Sequence, residues 1–217
     1  CPNFFKTIVV LRDPCDVLVS FYKFFQGWYF EPGAIDLETF ANEFWLARDV
    51  PESKMQNASY FVHLVSWYRH RNDDGVLVLL FEDMKDDLEG QVRRIAKFLS
   101  NQEYNFDTHA VIQHAFSHST FDFVKKHEDK FDEKLSKLSR NEACGLPRDA
   151  GMSKSKLHAG HSGKGSLTLS TDLKDKIDQK WKEVVLPITG CASYAELRVQ
   201  LASECATFLA HNDARND

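Results

Sequence analysis

Two short, uninterrupted apolar runs constrain the fold of this 217-residue chain more than any other feature. Residues 6–11 (KTIVVL) and 76–81 (VLVLLF) are dominated by aliphatic side chains, and polar residues do not alternate with them. Runs of this length and composition are typical of strands that are buried on both faces of a parallel sheet. Helical patterns separate the two runs, so the sequence predicts an α/β fold with a parallel sheet between layers of helices.

Helix signals occupy most of the remaining chain. Asp13 and Pro14 suit the N-cap and the first position of a helix that runs to about residue 26. A polar stretch, residues 128–165, is rich in lysine, serine and glycine and predicts a long mobile loop. From the spacing of apolar residues, we expect further helices at about residues 36–46, 58–71, 88–99, 107–115, 119–127, 170–185 and 192–201.

The predicted organisation is one domain over residues 1–217, a length that allows a substantial core. Two strands are too few to form a stable sheet by themselves. The first strand also begins only about five residues after Cys1, which stands where a complete chain would have methionine. We therefore expect an N-terminal part of the domain, with at least one more strand, to lie outside this sequence.

Charge and cysteine content narrow the class of protein. The net charge of −5 disfavours a general nucleic-acid binder. Apolar runs stay shorter than the roughly 18 residues that a membrane span requires. The five cysteines have no paired spacing, which predicts reduced thiols in an intracellular, cytoplasmic protein instead of disulfides or a zinc site.

The residues that follow the first strand suggest an anion site. Arg12 lies just past the carboxyl end of the strand, where open α/β sheets bind ligands, and the N-terminus of the next helix favours anions. Ser20 comes eight residues later, about two helical turns along. Arg12 and Ser20 could hold one phosphate from two sides. The alternative is that Arg12 pairs with Asp13 or Asp16 and that Ser20 only faces a neighbouring helix.

Three sequence blocks resemble the cytosolic sulfotransferase family. VVLRDPCDVLVSFYKFF is similar to that family's 3′-phosphate-binding segment, a strand followed by R-[ND]-P-x-D-x-x-x-S-x-[YF]. VLVLLFEDMKDDLEGQVRRIAKFL resembles its second signature, which contains E-D-[ML]-K, and HSTFDFVKKHE resembles its adenine-surrounding segment. The resemblance implies a P-loop NTPase-like three-layer fold and 3′-phosphoadenosine-5′-phosphosulfate (PAPS) as the sulfuryl donor.

Site residues can be carried over from these blocks by position. The resemblance implies that Arg12 and Ser20 hold the 3′-phosphate of PAPS, and that Ser119 and Phe121 line the adenine pocket. Phe81 takes the place of a common tyrosine beside the adenine, so it keeps a ring for stacking and lacks the hydroxyl. A plain core aromatic at the end of a strand is the alternative for Phe81.

A fourth family motif, R-K-G-x-x-G-x-W, is only partly present. Its nearest match is HAGHSGKG, residues 158–165, in which Gly160 and Gly163 match both glycines. His158 and Ala159 then replace the basic pair, and Gly165 replaces the tryptophan. The resemblance implies that His158, Ala159 and Gly160 contact the 3′-phosphate. A register shifted to place Lys156 at the arginine, or a loop with chance glycines, remains possible.

The family's 5′-phosphosulfate loop and its catalytic histidine would both lie upstream of Cys1. We therefore expect no catalytic residue and no metal site in this chain, and no activity from the chain alone. The resemblance implies a small-molecule acceptor with a hydroxyl or amine and leaves a homodimer open. The aromatic segment 24–59 is either part of the acceptor pocket or a helix-packing surface. The alternatives to a PAPS-dependent sulfotransferase are a P-loop kinase-like protein and a non-catalytic nucleotide-binding or interaction module.

Overall fold

A parallel pair of strands lies at the centre of the computed structural model. The model describes residues 5–26, 28–50, 52–53, 58–131, 134–150, 163 and 165–213, without the side chains of 131, 134, 135 and 205–213. Strand β1 (Thr7–Leu11) pairs in parallel with β2 (Val76–Leu80), and Leu11 is opposite Leu80. The predicted strands, their parallel pairing and the α/β class are confirmed.

The two faces of β1 are not equally covered. Val9 and Leu11 point into the core, whereas Ile8 and Val10 are 39% and 46% exposed. The expectation that this strand is buried on both faces is therefore wrong within the described residues. An apolar run indicates that both faces can be buried, but successive side chains point to opposite faces and each face needs its own covering layer.

Twelve α-helices accompany the two strands in the described part of the chain. Most helices begin where the side chain of an Asp, Ser or Thr accepts a hydrogen bond from a backbone N–H of the first turn. The helices are α1 (Pro14–Phe25), α2 (Leu37–Phe40, continued by a π-helical turn Ala41–Trp45), α3 (Tyr60–Arg69), α4 (Phe81–Asp86), α5 (Leu88–Leu99), α6 (His109–Ser119), α7 (Phe121–Lys126), α8 (Lys134–Ala143), α9 (Gly165–Thr168), α10 (Thr171–Lys180, continued by a π-helical turn Trp181–Val185), α11 (Leu186–Thr189) and α12 (Tyr194–Asp213).

The main core lies on the side of the sheet to which Val9 and Leu11 point. Helices α1, α3, α10 and α12 contribute fully buried aliphatic side chains to it. A smaller cluster joins α5 to α6 through Val92, Ala96 and Ile112. Burial of these side chains supplies most of the free energy that holds the helices against the sheet. Side chains of the main core that are at most 1% exposed include Leu18, Leu64, Leu173, Val185 and Leu197.

The prediction of one long loop over residues 128–165 is wrong in its first part. A 3₁₀ turn (Glu128–Phe131) and helix α8 occupy this region. Asn141 of α8 is buried and donates hydrogen bonds to the carbonyl oxygens of Arg148 and Ala150. The polar composition of the segment was misleading because these polar groups are satisfied by one another inside the fold. Most of 151–165, including the second half of the predicted loop, lies outside the described residues.

Candidate functional site

The carboxyl ends of β1 and β2 meet at one edge of the sheet, where α1 and α4 begin. Asp13 caps α1, because its Oδ1 accepts hydrogen bonds from the backbone N–H groups of Cys15 (2.8 Å) and Asp16 (3.1 Å). The backbone N–H of Asp13 in turn donates to Oε1 of Glu82, the second residue of α4, at 3.1 Å. This bond joins the two strand ends and sets the position of Arg12 between them.

Arg12 is held from three sides. The hydroxyl of Tyr60 donates to its backbone carbonyl oxygen at 2.5 Å. Its guanidinium lies over the ring of Phe81, 4.2 Å from the centroid, and its Nη2 donates to Oδ2 of Asp16 at 3.2 Å. Its Nε is buried and has no hydrogen-bond partner among the described residues. The Arg12–Asp16 ion pair, which the sequence offered as the alternative to a phosphate site, is therefore present. The guanidinium nevertheless keeps a buried donor that the described side chains and backbone do not use.

Asp16 also binds the backbone of Gly163 and Gly165, two residues that are together called the glycine segment. Its carboxylate, 3% exposed, accepts a hydrogen bond from the N–H of Gly163 (2.8 Å, to Oδ2) and one from the N–H of Gly165 (2.7 Å, to Oδ1). A Cβ atom on Gly165 would lie 2.6 Å from the Cα of Asp16, so a side chain does not fit there. Gly163 has a φ of +80°, which favours glycine. The second glycine of the partial motif is thus placed at the start of α1.

Two further predicted site residues, Ser20 and Phe81, belong to the described part of the chain. Ser20 is partly buried on α1, two turns beyond the arginine. Phe81 is the first residue of α4, so the prediction that it ends β2 is wrong, because the chain turns into a helix directly after Leu80. His158, Ala159 and Gly160 lie outside the described residues.

One lysine of α4 and one of α7 lie near the ring of Phe121. Lys85, one turn after Phe81, places its Nζ 5.5 Å from the ring centroid of Phe121. Lys125 lies over the same ring at 6.0 Å. Ser119, the last residue of α6, is exposed. Because the guanidinium of Arg12 covers one face of Phe81, only the other face and the edge of that ring remain available for a ligand.

Burial and nearby carboxylates raise the pKa of three side chains at this edge of the sheet. Burial raises the pKa of the Cys15 thiol to about 11, and the charges of Asp13 and Asp16 add to the effect. Burial also raises the pKa of Asp13, although the hydrogen bonds from Asp16 and Cys15 oppose the shift. The pKa of Tyr60 is raised well above its ordinary value, first by burial and then by the charge of Asp13. The pKa values of Cys15, Asp13 and Tyr60 are thus all shifted toward the protonated form.

Two residues that position the site were not predicted. Glu82 accepts from the N–H of Asp13 and, through Oε2, from the hydroxyl of Tyr194 at 2.5 Å. The Glu-Asp pair of the second signature was a signal for Glu82, although it did not indicate a bridging role. Tyr60 has no local signal, because its partner is a backbone carbonyl 48 residues earlier in the chain.

Most of the aromatic segment 24–59 packs on itself. The ring of Phe40 lies 5.4 Å from that of Phe25 and 5.1 Å from that of Phe44, and Phe40 is buried. These contacts support the helix-packing interpretation for the three rings. Phe24 is partly buried and stacks at 5.2 Å on Trp28, which is itself buried. The acceptor-pocket interpretation remains a prediction for Phe24 and Trp28.

Two cations of α8 cover Trp28. The Nζ of Lys137 lies 4.8 Å from the ring centroid, and the Cζ of Arg140 lies 4.6 Å from it. Lys137 is buried, and its pKa is lowered first by burial and then by the charge of Arg140. The segment that was predicted as a loop therefore packs against the aromatic residues that follow α1.

Cofactor, membrane and disulfide features can be stated for the described residues. They hold no group of three or more His, Cys, Asp or Glu side chains that could bind a metal ion. No helix among them is both long and apolar enough to span a bilayer. Where the side chains are described, Cys15, Cys144 and Cys191 are free thiols.

Known sulfotransferases are similar in sequence to part of this chain. The chain is 32% identical over 120 residues to amine sulfotransferase of Oryctolagus cuniculus (55% of this chain, 36% of that protein). It is 35% identical over 100 residues to luciferin sulfotransferase of Photinus pyralis (45% of this chain, 24% of that protein). The matched segments therefore span well under half the length of these relatives.

Solved structures show the same fold. Retinol dehydratase in complex with androsterone and inactive cofactor PAP superimposes with a TM-score of 0.58, 21% identity, and coverage of 85% of this chain and 49% of that chain. Mouse sulfotransferase SULT7A1 complexed with PAP superimposes with a TM-score of 0.57 and 19% identity. The match covers 96% of this chain and 63% of that chain. The family model of the sulfotransferase domain matches residues 3–185, which is most of the sequence. The chain therefore belongs to the sulfotransferase domain family.

Proposed function

We propose that the whole protein transfers a sulfuryl group from PAPS to a hydroxyl or amine of a small organic acceptor. One observation carries the donor assignment: the guanidinium of Arg12, at the carboxyl edge of the sheet, keeps a buried Nε without a partner among the described residues. An unpaired buried donor is costly, and a phosphate oxygen would satisfy it. The two similar structures that were solved with PAP support a nucleotide of this kind.

The proposed roles of the side chains follow from their positions. Arg12 and Ser20 hold the 3′-phosphate from the strand end and from α1. Phe81 contacts the adenine with its free face or edge, since its other face carries the guanidinium of Arg12. Ser119 and Phe121 line the adenine pocket, which Lys85 links to α4. The residues of this chain thus bind and orient the donor.

The proposed reaction breaks the bond between the sulfuryl sulfur and the phosphate oxygen of PAPS and forms a bond from that sulfur to the acceptor oxygen or nitrogen. The acceptor loses its proton to a base, and adenosine 3′,5′-bisphosphate leaves. Transfers of this type depend mainly on positioning and on stabilising the charge that develops on the leaving group. If the 3′-phosphate is fixed at the strand ends, both the position of PAPS and the surroundings of its leaving group are fixed as well.

The test compares two nucleotides that differ in one phosphate. Wild-type whole protein should bind adenosine 3′,5′-bisphosphate more tightly than adenosine 5′-monophosphate. Arg12→Ala should weaken binding of the bisphosphate by about 1.5–3 kcal/mol, roughly 10- to 150-fold in Kd. Arg12→Lys keeps the charge but not Nε or the planar stacking group, and should give a partial loss.

Arg93→Ala is the matched control. Arg93 is an exposed arginine that pairs with Glu89 on α5, away from the strand ends, so its removal should leave both affinities unchanged. An equal Kd of wild type and Arg12→Ala for the bisphosphate would contradict the phosphate site. Transfer from PAPS to phenol, alcohol and amine acceptors then tests the reaction itself.

A second candidate function is nucleotide binding without transfer. It is favoured by Gly165, which stands where the family's C-terminal motif has tryptophan and packs so closely on Asp16 that a side chain is excluded. Binding of the bisphosphate with no transfer to any acceptor would support this candidate. The proposal includes a cytoplasmic location and allows a homodimer.

A further inference from the structure

We infer that Asp16 is a positioning residue for recognition of the 3′-phosphate: its carboxylate holds the glycine segment against α1 and orients the guanidinium of Arg12. The inference rests on the proposed function and assigns to that site a residue with the same charge sign as the ligand. A buried carboxylate beside an anion site would repel the anion unless its own charge is compensated. The structure shows how it is compensated.

Both oxygens of the Asp16 carboxylate accept hydrogen bonds. Oδ2 accepts from the backbone N–H of Gly163 and from Nη2 of Arg12, and Oδ1 accepts from the backbone N–H of Gly165. Three donors, one of them cationic, thus surround a group that is almost fully buried. Only a side chain with two acceptor atoms, such as a carboxylate, satisfies all three donors. An asparagine would turn an NH₂ group toward at least one N–H donor.

The contact joins two parts of the site that are far apart in the sequence. Gly163 and Gly165 lie 147 and 149 residues after Asp16, and the second begins α9, which packs on α1. Because a Cβ on Gly165 would meet the backbone of Asp16 at 2.6 Å, the glycine segment lies directly on the first turn of α1. Asp16 therefore connects the arginine that is proposed to bind the phosphate with the segment that resembles the family's second phosphate-binding motif.

The orientation of Arg12 depends on the same carboxylate. One nitrogen of the guanidinium is committed to Asp16 and one face to the ring of Phe81, which leaves Nε as the buried donor without a partner. A planar group that is held at one nitrogen and over one face keeps its other N–H groups, Nε–H among them, in fixed directions. Loss of the Asp16 contact should therefore let the guanidinium of Arg12 move, although the N–H groups that bind the phosphate would still be present.

The experiment measures selectivity in the whole protein, as the ratio of the dissociation constants for adenosine 5′-monophosphate and adenosine 3′,5′-bisphosphate. Asp16→Asn should weaken binding of the bisphosphate at least tenfold and that of the monophosphate less than about threefold, so the ratio falls. Asp172→Asn is the matched control, because it removes an equal charge from an exposed carboxylate on α10 that pairs only with Lys176 among its described neighbours. Its ratio should equal that of wild type.

A second pair of variants covers the case in which Asp16→Asn does not fold. Gly163 and Gly145 both have positive φ, +80° and +66°, and a Cβ on either would meet no atom within 4 Å. Alanine at each position therefore introduces the same kind of backbone strain, but only Gly163 donates to Asp16. Gly163→Ala should lower the selectivity ratio in the same direction as Asp16→Asn, and Gly145→Ala should not.

The results distinguish a positioning role of Asp16 from a structural contact and from simple repulsion of the ligand. Equal weakening of both nucleotides, or an unchanged ratio in Asp16→Asn and Gly163→Ala, would reduce Asp16 to a structural contact and overturn the inference alone. Tighter bisphosphate binding in Asp16→Asn would show that the carboxylate merely repels the ligand. If wild type does not prefer the bisphosphate, the 3′-phosphate site itself is absent, and the proposed function falls together with the inference.

Discussion

Tyr194 and Glu82 form a buried hydrogen bond that ties the C-terminal helix to the edge of the sheet. The hydroxyl of Tyr194, the first residue of α12, lies 2.5 Å from Oε2 of Glu82 in α4. The other oxygen of Glu82 accepts from the N–H of Asp13 at the start of α1. One carboxylate thus joins α1, α4 and α12 at the point where the two strands end. The candidate site depends on this junction, because Arg12 directly precedes Asp13.

The first prediction concerns the strength of this junction. Tyr194→Phe should lower the free energy of unfolding by about 1.5–3 kcal/mol, because it removes a donor from a buried, charged acceptor. Denaturant unfolding of both proteins measures the change. Tyr104→Phe is the control, since Tyr104 is exposed and its ring stacks on Phe106. Equal effects of the two substitutions would show that the bond to Glu82 adds nothing to stability.

The second prediction concerns alkaline pH. Burial and the hydrogen bond to Glu82 raise the pKa of Tyr194 well above its ordinary value of about 10. A group whose pKa is raised by folding contributes stability that is fully present below the unfolded pKa and is lost as the pH rises above it. The free energy of unfolding should therefore fall above pH 10 in wild type and less steeply in Tyr194→Phe. Parallel curves for the two proteins would contradict this linkage.

The third prediction separates the two properties of Asp13, its role as a cap and its charge. Asp13→Ala should cost about 1 kcal/mol of stability, because α1 loses its N-cap. Asp13→Asn keeps a capping oxygen and removes a buried charge whose pKa is raised first by desolvation. Asparagine should therefore match or exceed wild-type stability at pH 7.

The pH dependence of Asp13→Asn gives the control for this pair. A raised folded pKa means that the wild-type side chain contributes its stability at acid pH and loses it as the pH rises through that pKa. The advantage of asparagine should accordingly disappear below about pH 3.8, the ordinary pKa of the carboxyl group. A clear loss of stability in Asp13→Asn at pH 7 would show that the charge itself stabilises α1.

The fourth prediction is that Cys15 reacts slowly although it lies at a helix N-terminus. Such positions commonly lower the pKa of a thiol. Here burial and two carboxylates raise it to about 11, so little thiolate is present at pH 8. Iodoacetamide at pH 8 should modify the exposed Cys144 well before Cys15, as peptide mass spectrometry would show. Faster modification of Cys15 would indicate that the start of α1 opens in solution.

Local patterns were sufficient to predict the elements that carry the candidate site. The apolar runs predicted β1 and β2, and Asp13 with Pro14 predicted the start of α1, because strand propensity and helix capping depend on residues that are close together in the sequence. The arginine at the strand end was predicted for the same reason, since its position depends only on where β1 stops and α1 starts. The sequence blocks around Arg12 and Glu82 also indicated the family, which the domain match confirms.

Contacts between distant segments could not be read from the sequence. Helix α8 was predicted as a loop because its polar side chains find their partners only in the folded protein, as Asn141 does with two carbonyl oxygens. The exposure of Ile8 and Val10 depends on which layers cover the sheet, and an apolar run does not contain that information. Asp16 could be predicted as a first-turn carboxylate of a helix. The amides of Gly163 and Gly165 reach its two oxygens only because α9 packs on α1, and hydrogen bonds across 147 and 149 residues follow from packing, not from a local pattern.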